Sequence, residues 1–250
     1  MKIGIIGCGV IGNALKVWLE NNTSHELKIK DPKLNLNDDI TDCNIVFIQI
    51  HLLTGKDGLQ DLTVMEQIIE DCPDVPIFIR TTLQPTACEF LRMKTNKDIN
   101  HMPEFLRERN AVEDFTKQDM IFTNHIDLLK QVFPNKKYVE MSSEEAEMAK
   151  YTHNIMGALK VIYYNGVYEY CEKMGFNFEK VRQGSLVSKF IHEDWTNVPG
   201  FDGLFGYGGK CFPKDVKALI GSTEGTKFNE LVRIINKLNL EYRGVSEDEQ

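Results

Sequence analysis

Cys211 stands where a nucleophile would be useful. It ends a glycine-rich run and begins another motif, Tyr207-Gly208-Gly209-Lys210-Cys211-Phe212-Pro213-Lys214-Asp215, in which the glycines permit close approach of a ligand. Pro213 suits the first turn of a helix, so Cys211 is expected near the positive end of that helix and between Lys210 and Lys214. Both influences favour the thiolate. Read from these residues alone, the alternative is an inert cysteine behind a flexible loop. Lys150 and Asn154 form a second candidate group. Four residues on a helix are about 40° apart around the axis and about 6 Å along it, so the two side chains project to one region. Asn165, eleven positions on, returns to the same face. A cation and two amides among Met, Tyr, Ile and Leu suggest a functional stripe, with a solvated face as the alternative. The same face logic makes Met148, Tyr151, Ile155, Leu159 and Ile162 expected core residues.

The N-terminal Gly7-Cys8-Gly9-Val10-Ile11-Gly12 points to a different task. It is a GxGxxG between a strand pattern and a helix pattern, with Asp31 nineteen positions after Gly12 at the end of the next strand. Gly7 permits the tight turn, Gly9 lets the backbone approach a pyrophosphate on the helix N-terminus, and Gly12 lets helix and strand pack closely. Asp31 could accept hydrogen bonds from ribose hydroxyls and would repel a 2′-phosphate, which favours NAD over NADP. Cys8 reads as a small filler in the turn.

These groups need a scaffold. Lys2 to Gly7, Leu27 to Lys30, Asn44 to Ile50 and Pro76 to Arg80 read as strands, separated by helical patterns at Val10 to Asn21, Val64 to Glu70 and Thr86 to Met93. Such alternation predicts an α/β fold with an N-terminal, doubly wound Rossmann sheet. Strands at Met120 to Thr123 and Lys137 to Met141, around a helix at Ile126 to Phe133, are expected to finish that sheet, giving a cofactor domain over residues 1–141. From Ser142 to Gly175 there is no proline, the start has the Ser-x-x-Glu spacing of a capping box, and the stop has a glycine. One helix of about thirty residues follows, near 45 Å long at about 1.5 Å per residue. It is the expected spine of a helical domain over 142–250. Further helices are expected at Phe178 to Gln183, Leu186 to His192, from about Pro213, and at Lys227 to Leu238; the glycine-rich loop spans Pro199 to Gly209.

Composition limits the partners. The 250 residues carry 29 Lys and Arg against 37 Asp and Glu, a net charge of −8, which argues against broad binding to nucleic acid or an anionic membrane. No apolar run approaches the roughly 20 residues of a membrane span, and glycines interrupt the N-terminus before a signal-peptide core could form. A soluble, cytoplasmic protein is expected. The six cysteines lack the paired spacing of a zinc site or the density of a disulfide scaffold, so reduced thiols are expected. The six histidines show no metal-ligand spacing, and no metal is expected. Trp195 is expected to pack beneath the glycine-rich loop.

Four ordered motifs resemble the nucleotide-sugar 6-dehydrogenases, the UDP-glucose and UDP-N-acetylmannosamine dehydrogenase family. They are GCGVIG at the N-terminus, Pro103-Glu104-Phe105-Leu106-Arg107-Glu108, Ala149-Lys150-Tyr151-Thr152-His153-Asn154, and the GYGGKCFPKD segment containing Cys211. Arg80-Thr81-Thr82-Leu83 is similar to the family's Ser/Thr-Thr-Val segment, and Asn197-Val198-Pro199-Gly200 to the lead-in of the cysteine loop. The resemblance implies oxidation of a sugar CH2OH to a carboxylate with reduction of two NAD. It makes Cys211 the nucleophile of a thiohemiacetal and thioester route, Lys150 the cation at developing oxyanions, and Asn154 a donor to the same oxygen. Thr82, Glu104 and Asp215 become the water-linked acid-base group. It further implies cofactor contacts from Gly7, Gly9, Val10, Ile11, Gly12, Asp31 and Thr82, and substrate contacts from Glu104, Phe105, Leu106, Lys150, Asn154 and Gly208. A homodimer through the long helix is implied as well. Typical members continue into a third domain that helps hold the uridine diphosphate, so a short member lacking it is expected. Arg109 stands where the family commonly has glycine, and Met120 where an arginine is usual. Two other readings remain: a two-electron dehydrogenase of the 3-hydroxyisobutyrate or 6-phosphogluconate type, which needs no cysteine, and a catalytically degenerate NAD-binding protein.

Overall fold

The structure is a computed structural model that describes residues 1–55, 58–188 and 190–246. It divides into two compact units, Met1–Gly55 with Gln60–Lys150, and Tyr151–Gln250 with the short segment Lys56–Leu59.

The first unit begins with β1 (Lys2–Ile6), α1 (Val10–Asn22), β2 (Glu26–Asp31), β3 (Leu36–Asn37) and β4 (Ile45–Ile48). It continues with α2 (Thr63–Glu70), β5 (Ile77–Ile79), α3 (Ala87–Thr95) and β6 (Ile99–His101). The sheet order is β3-β2-β1-β4-β5-β6, parallel throughout except for the antiparallel edge strand β3. The central strands β1, β4 and β5 are short apolar runs buried on both faces, as a parallel sheet requires. Val46 and Ile48 of β4 pack with Met65, Ile69 and Leu91 on one face, while Ile45 and Phe47 pack with Leu15, Trp18 and Phe133 on the other. The strand order reverses between β1 and β4, which makes the carboxyl ends of those strands the crevice where such folds receive ligands.

Two expectations are corrected. The strands β7 (Met120–Thr123) and β8 (Lys137–Glu140) do not finish the main sheet; with α4 (Ala111–Lys117) before them and α5 (Ile126–Val132) between them, they pair only with each other, in parallel. The position beside β5 is taken by β6, three fully buried residues whose Ile-Asn-His sequence carries no strand alternation. Strand β8 is mostly exposed and could not have been a buried strand of the large sheet.

Helix α6 (Ser143–Met174) runs 32 residues. The capping box forms: the Ser142 hydroxyl accepts from the Glu145 N–H at 3.1 Å and the Glu145 carboxylate accepts from the Ser142 N–H at 2.8 Å. Gly175 closes it in the left-handed region, and the Phe176 N–H reaches the Cys171 carbonyl at 2.9 Å. From Tyr151 onward α6 belongs to the second unit, with α7 (Phe178–Ser185), α8 (Phe212–Ser222) and α9 (Lys227–Arg243). Their core joins Tyr151, Ile155, Ala158 and Ile162 to Val216, Leu219, Val232 and Ile235. Met148 and Leu159 are half-buried. The helix expected at Leu186 to His192 is absent from its described residues, which form turns and bends; Lys189 lies outside them. Leu186 already caps α7, and Val187 (89% exposed) and Phe190 (92% exposed) have no core to bury against.

Candidate functional site

The glycine turn between β1 and α1 is built as an anion cradle. Gly7 has φ +82°, and a side chain there would collide with the Gln49 carbonyl, just as one at Gly12 would collide with the Gly7 carbonyl. At Gly9 the space is open, with nothing within 4 Å of where a Cβ would lie. Gly9 caps α1 without a side-chain hydrogen bond, and the first turn holds no acidic residue, so the helix end remains available to an outside anion. Val10 is exposed and Ile11 half-buried beside it. Asp31 reaches back across the turn: its Oδ2 accepts from the Cys8 N–H at 2.7 Å and its Oδ1 from the Lys33 N–H at 3.1 Å. Two carboxylate oxygens have capacity beyond these bonds, and a ribose diol is a suitable donor. Cys8 is a buried filler, its thiol pushed up by burial. These residues fit a dinucleotide. Gln49 completes the turn by donating from Nε2 to the carbonyls of Ile6 (3.2 Å) and Gly7 (3.0 Å).

Further along the carboxyl edge of the same sheet, Glu104 and Lys150 are buried together. The Lys150 ammonium donates to the Glu104 carbonyl at 2.5 Å, lies 3.4 Å from its Oε1, and sits 5.4 Å from the Phe105 ring centroid. Glu104 Oε2 accepts from the Leu106 N–H at 2.6 Å, which fixes the carboxylate at the start of the loop. Burying an ammonium demands such partners, because desolvation of an unpaired charge costs several kcal/mol. Of the nearby acids, Glu108 is exposed and Asp114 is occupied by Arg107, at 2.7 and 2.9 Å. Thr82 is buried, with its carbonyl accepting from Gln60 Nε2 at 2.9 Å.

Three buried neighbours in this unit lie outside the candidate set. Arg80 is 2% exposed, its guanidinium lies 4.7 Å over Phe115, and its Nε and Nη1 have no hydrogen-bond partner among the described residues. Burial lowers it to about 10, against the opposing charge of Glu104. His101 donates from Nε2 to the Thr81 carbonyl at 3.0 Å; burial lowers it to about 4, so the ring is neutral at pH 7. Glu147, three residues before Lys150, accepts from the Thr86 N–H at 2.7 Å and the Cys88 N–H at 2.8 Å, closing the N-terminus of α3. Burial pushes its carboxyl up to about 7.

In the second unit Cys211 is the N-cap of α8, with Pro213 in the first turn. It is exposed, whereas Cys8, Cys43, Cys72, Cys88 and Cys171 are all buried. One turn on, Asp215 is fully buried and accepts from Asn154 Nδ2 at 2.6 Å and from the Lys214 ammonium. Lys150 and Asn154, one helical turn apart in sequence, therefore have different carboxylates as partners. Phe212 packs edge-on against Tyr207 at 6.1 Å and at a tilt against Trp195 at 5.6 Å, so the ring contact of Trp195 is with the residue after Cys211, beyond the loop it was expected to pack beneath. Gly157 of α6 gives the Phe212 ring its room: a Cβ there would lie 2.6 Å from Cζ. Gly208 is half-buried beside Arg243. Among the described residues no group of three or more His, Cys, Asp or Glu is placed to hold a metal, and no helix is long and apolar enough to cross a membrane.

A Rossmann-type sheet with a glycine turn, joined to a helical unit built on one long helix, is a dehydrogenase fold. Solved structures agree: a UDP-glucose dehydrogenase from Pyrobaculum islandicum superposes with TM-score 0.78 at 21% identity, over 97% of this chain and 68% of that one. A 3-hydroxyisobutyrate dehydrogenase from Mycobacterium tuberculosis shares the fold at TM-score 0.68 and 13% identity, over 98% and 96%. Residues 144–241 match the central domain of the UDP-glucose/GDP-mannose dehydrogenase family. Curated relatives include the UDP-glucose 6-dehydrogenases of Rickettsia felis, 30% identical over 73% of this chain and 44% of the relative, and of Pseudomonas aeruginosa, 28% identical over 82% and 50%. The chain spans about half the length of these relatives.

Proposed function

We propose that this chain forms the cofactor-binding and catalytic parts of an NAD-dependent nucleotide-sugar dehydrogenase that oxidises a sugar CH2OH to the carboxylate. The carrying observation is the exposed Cys211 at the cap of α8, one turn from a buried Asp215 that is itself held by Asn154. The open space at Gly9 and the acceptor geometry of Asp31 support NAD at the first unit. When bound, NAD supplies a hydride acceptor for each of two oxidations.

The chain's own residues do the remaining work. Glu104, Thr82 and Asp215 take the alcohol proton through water during the first oxidation. The Cys211 thiolate adds to the aldehyde carbon, forming a C–S bond while the carbonyl oxygen becomes an alkoxide. Lys150 and Asn154 stabilise that oxygen by charge and by hydrogen bonding. The second oxidation yields a thioester, and water, deprotonated by the same carboxylates, cleaves the C–S bond and returns the thiolate. One alcohol, one water and two NAD become one carboxylate, two NADH and three protons. Phe105, Leu106 and Gly208 line the substrate. The domains follow as a cofactor domain over 1–141 and a cysteine-loop domain over 142–250, acting in the cytoplasm, where thiols remain reduced. Met156, Tyr163, Tyr170 and Met174 are exposed at helical spacing along α6 and support a homodimer through that helix.

The test is product analysis with UDP-sugars. Two NADH per sugar acid are expected, and Cys211→Ser should form no acid. A Cys211→Ser variant with near-normal turnover would instead indicate the two-electron chemistry of the hydroxyacid dehydrogenases, whose fold this chain shares.

A further inference from the structure

The loop before Cys211 is held in an unusual way. Gly206 and Tyr207 have four backbone polar groups, and side chains satisfy all four. The Gly206 N–H donates to Asn165 Oδ1 at 2.9 Å, and the Tyr207 N–H to Asn239 Oδ1 at 2.6 Å. Arg243 donates from Nε to the Tyr207 carbonyl at 3.1 Å and from Nη2 to the Gly206 carbonyl at 3.2 Å. Two of these three side chains project from α9, more than thirty residues downstream. Arg243 also pairs with Asp202, at the other end of the loop, at 2.8 Å. The fit is tight: a Cβ at Gly206 would lie 2.5 Å from Asn239 Oδ1, and one at Gly208 would lie 2.5 Å from Arg243 Nη2. Gly206 adopts φ +71°, which a side chain would strain.

We propose that Arg243 and Asn239 are positioning residues for Cys211, fixing the 206–209 backbone so that the thiol stays at the cap of α8. Energetics support a dedicated role. Asn239 is fully buried and its Nδ2 has no partner among the described residues. Leaving a buried donor unpaired is costly, so a leucine would serve the core better, and the Oδ1 bond to Tyr207 is what the asparagine provides. Arg243 bridges two carbonyls and a carboxylate with its planar fork, which a lysine cannot reproduce. The loop has no ladder or helix bonds at Gly206 and Tyr207 to replace them, so its conformation follows these side chains.

This inference rests on Cys211 as the reactive thiol, and its test separates the two claims. Cys211 is the exposed cysteine among six, so iodoacetamide reads it directly, without any sugar substrate. In the full chain, Arg243→Gln should slow alkylation of Cys211 at least fivefold, because the thiol leaves the helix cap that favours its thiolate. It should lower kcat at least tenfold while leaving the KM for NAD within twofold, and Arg243→Lys should restore only part of each loss. Unchanged alkylation and kcat, with a loss of melting temperature alone, would overturn the proposal. Hydrogen exchange on the unmodified protein gives a reading that no folding defect can confuse: the Tyr207 amide should be protected, and exchange at the rate of an open loop would refute the clamp. If alkylation slows as expected while the unmodified protein oxidises no sugar nucleotide, the clamp stands and the proposed reaction fails.

Discussion

Gly157→Ala sets two known effects against each other at one atom. In the middle of a helix, replacing glycine by alanine should stabilise by about 1 kcal/mol. At Gly157, however, the new methyl would stand 2.6 Å from Phe212 Cζ. Ordinary carbon contacts are about 3.5–4.0 Å, so the ring tip must retreat by about 1 Å. Trp195 at 5.6 Å and Tyr207 at 6.1 Å hold that ring on two sides. Overpacking of this kind costs about 1–3 kcal/mol, which cancels or exceeds the helical gain. Gly166, nine residues along the same helix, is the control, since its Cβ would meet only the Tyr242 hydroxyl at 3.7 Å. Differential scanning calorimetry should show Gly166→Ala raising the melting temperature by about 2–4 °C and Gly157→Ala leaving it unchanged or lower. Alkylation of Cys211 should slow in Gly157→Ala, because Phe212 adjoins the cysteine, and should be unaffected in Gly166→Ala. Equal stabilisation by both substitutions would show that the Phe212 ring is not held and that the reasoning is wrong.

Glu147 titrates at about 7 in the folded chain against an ordinary value of 4.5 because it is buried, so its folding contribution is greatest below 4.5 and is lost as pH rises through 7. Melting temperatures between pH 5 and 8 should fall more steeply in the unmodified protein than in Glu147→Gln, by an amount worth up to about 3 kcal/mol; parallel curves would refute this. Asp31→Asn removes the charge beside the glycine turn, so fluorescence titration should show NAD bound about tenfold more weakly, about 1.4 kcal/mol, with its preference over NADP narrowed. An unchanged preference would remove Asp31 from the ribose site. Met156→Glu with Tyr163→Glu places charges on the exposed face of α6, and sedimentation should show the proposed homodimer for the unmodified chain and monomer for the variant; a dimer in both would remove this face from the interface.

Much of the frame was legible because it is written in local patterns. The buried strands β1, β4 and β5 are short apolar runs, and α6 announces both ends, with Ser142 and Glu145 at one and Gly175 at the other. Strand β6 was not legible: Ile-Asn-His acquires its identity only by pairing with β5, a long-range event. The apolar residues after Leu186 have helical spacing but no surface to pack on, and most helical stability comes from such packing. At the site, motif residues could be named from type and spacing, while Gln49, Glu147 and Arg243 could not. Their partners are backbone groups distant in sequence, and a backbone N–H or carbonyl leaves no mark on residue type.

One class of those missed contacts follows a rule that sequence reading can use. Asparagine is a poor helix former, because its side chain competes for backbone hydrogen bonds, and burying its amide is costly unless the amide is paired. Yet α6 and α9 carry four buried asparagines, and three of them serve the segment from Gly206 to Asp215: Asn154 donates to Asp215, Asn165 accepts from Gly206 and Asn239 accepts from Tyr207. The fourth, Asn229, donates to the Ile220 carbonyl at 2.7 Å and so fixes the far end of α8. Each occupies a position where an aliphatic residue would give a better helix and a drier core. Their shared target is the stretch of chain surrounding one exposed thiol, and it is there that the fold accepts the cost of polar atoms in its interior.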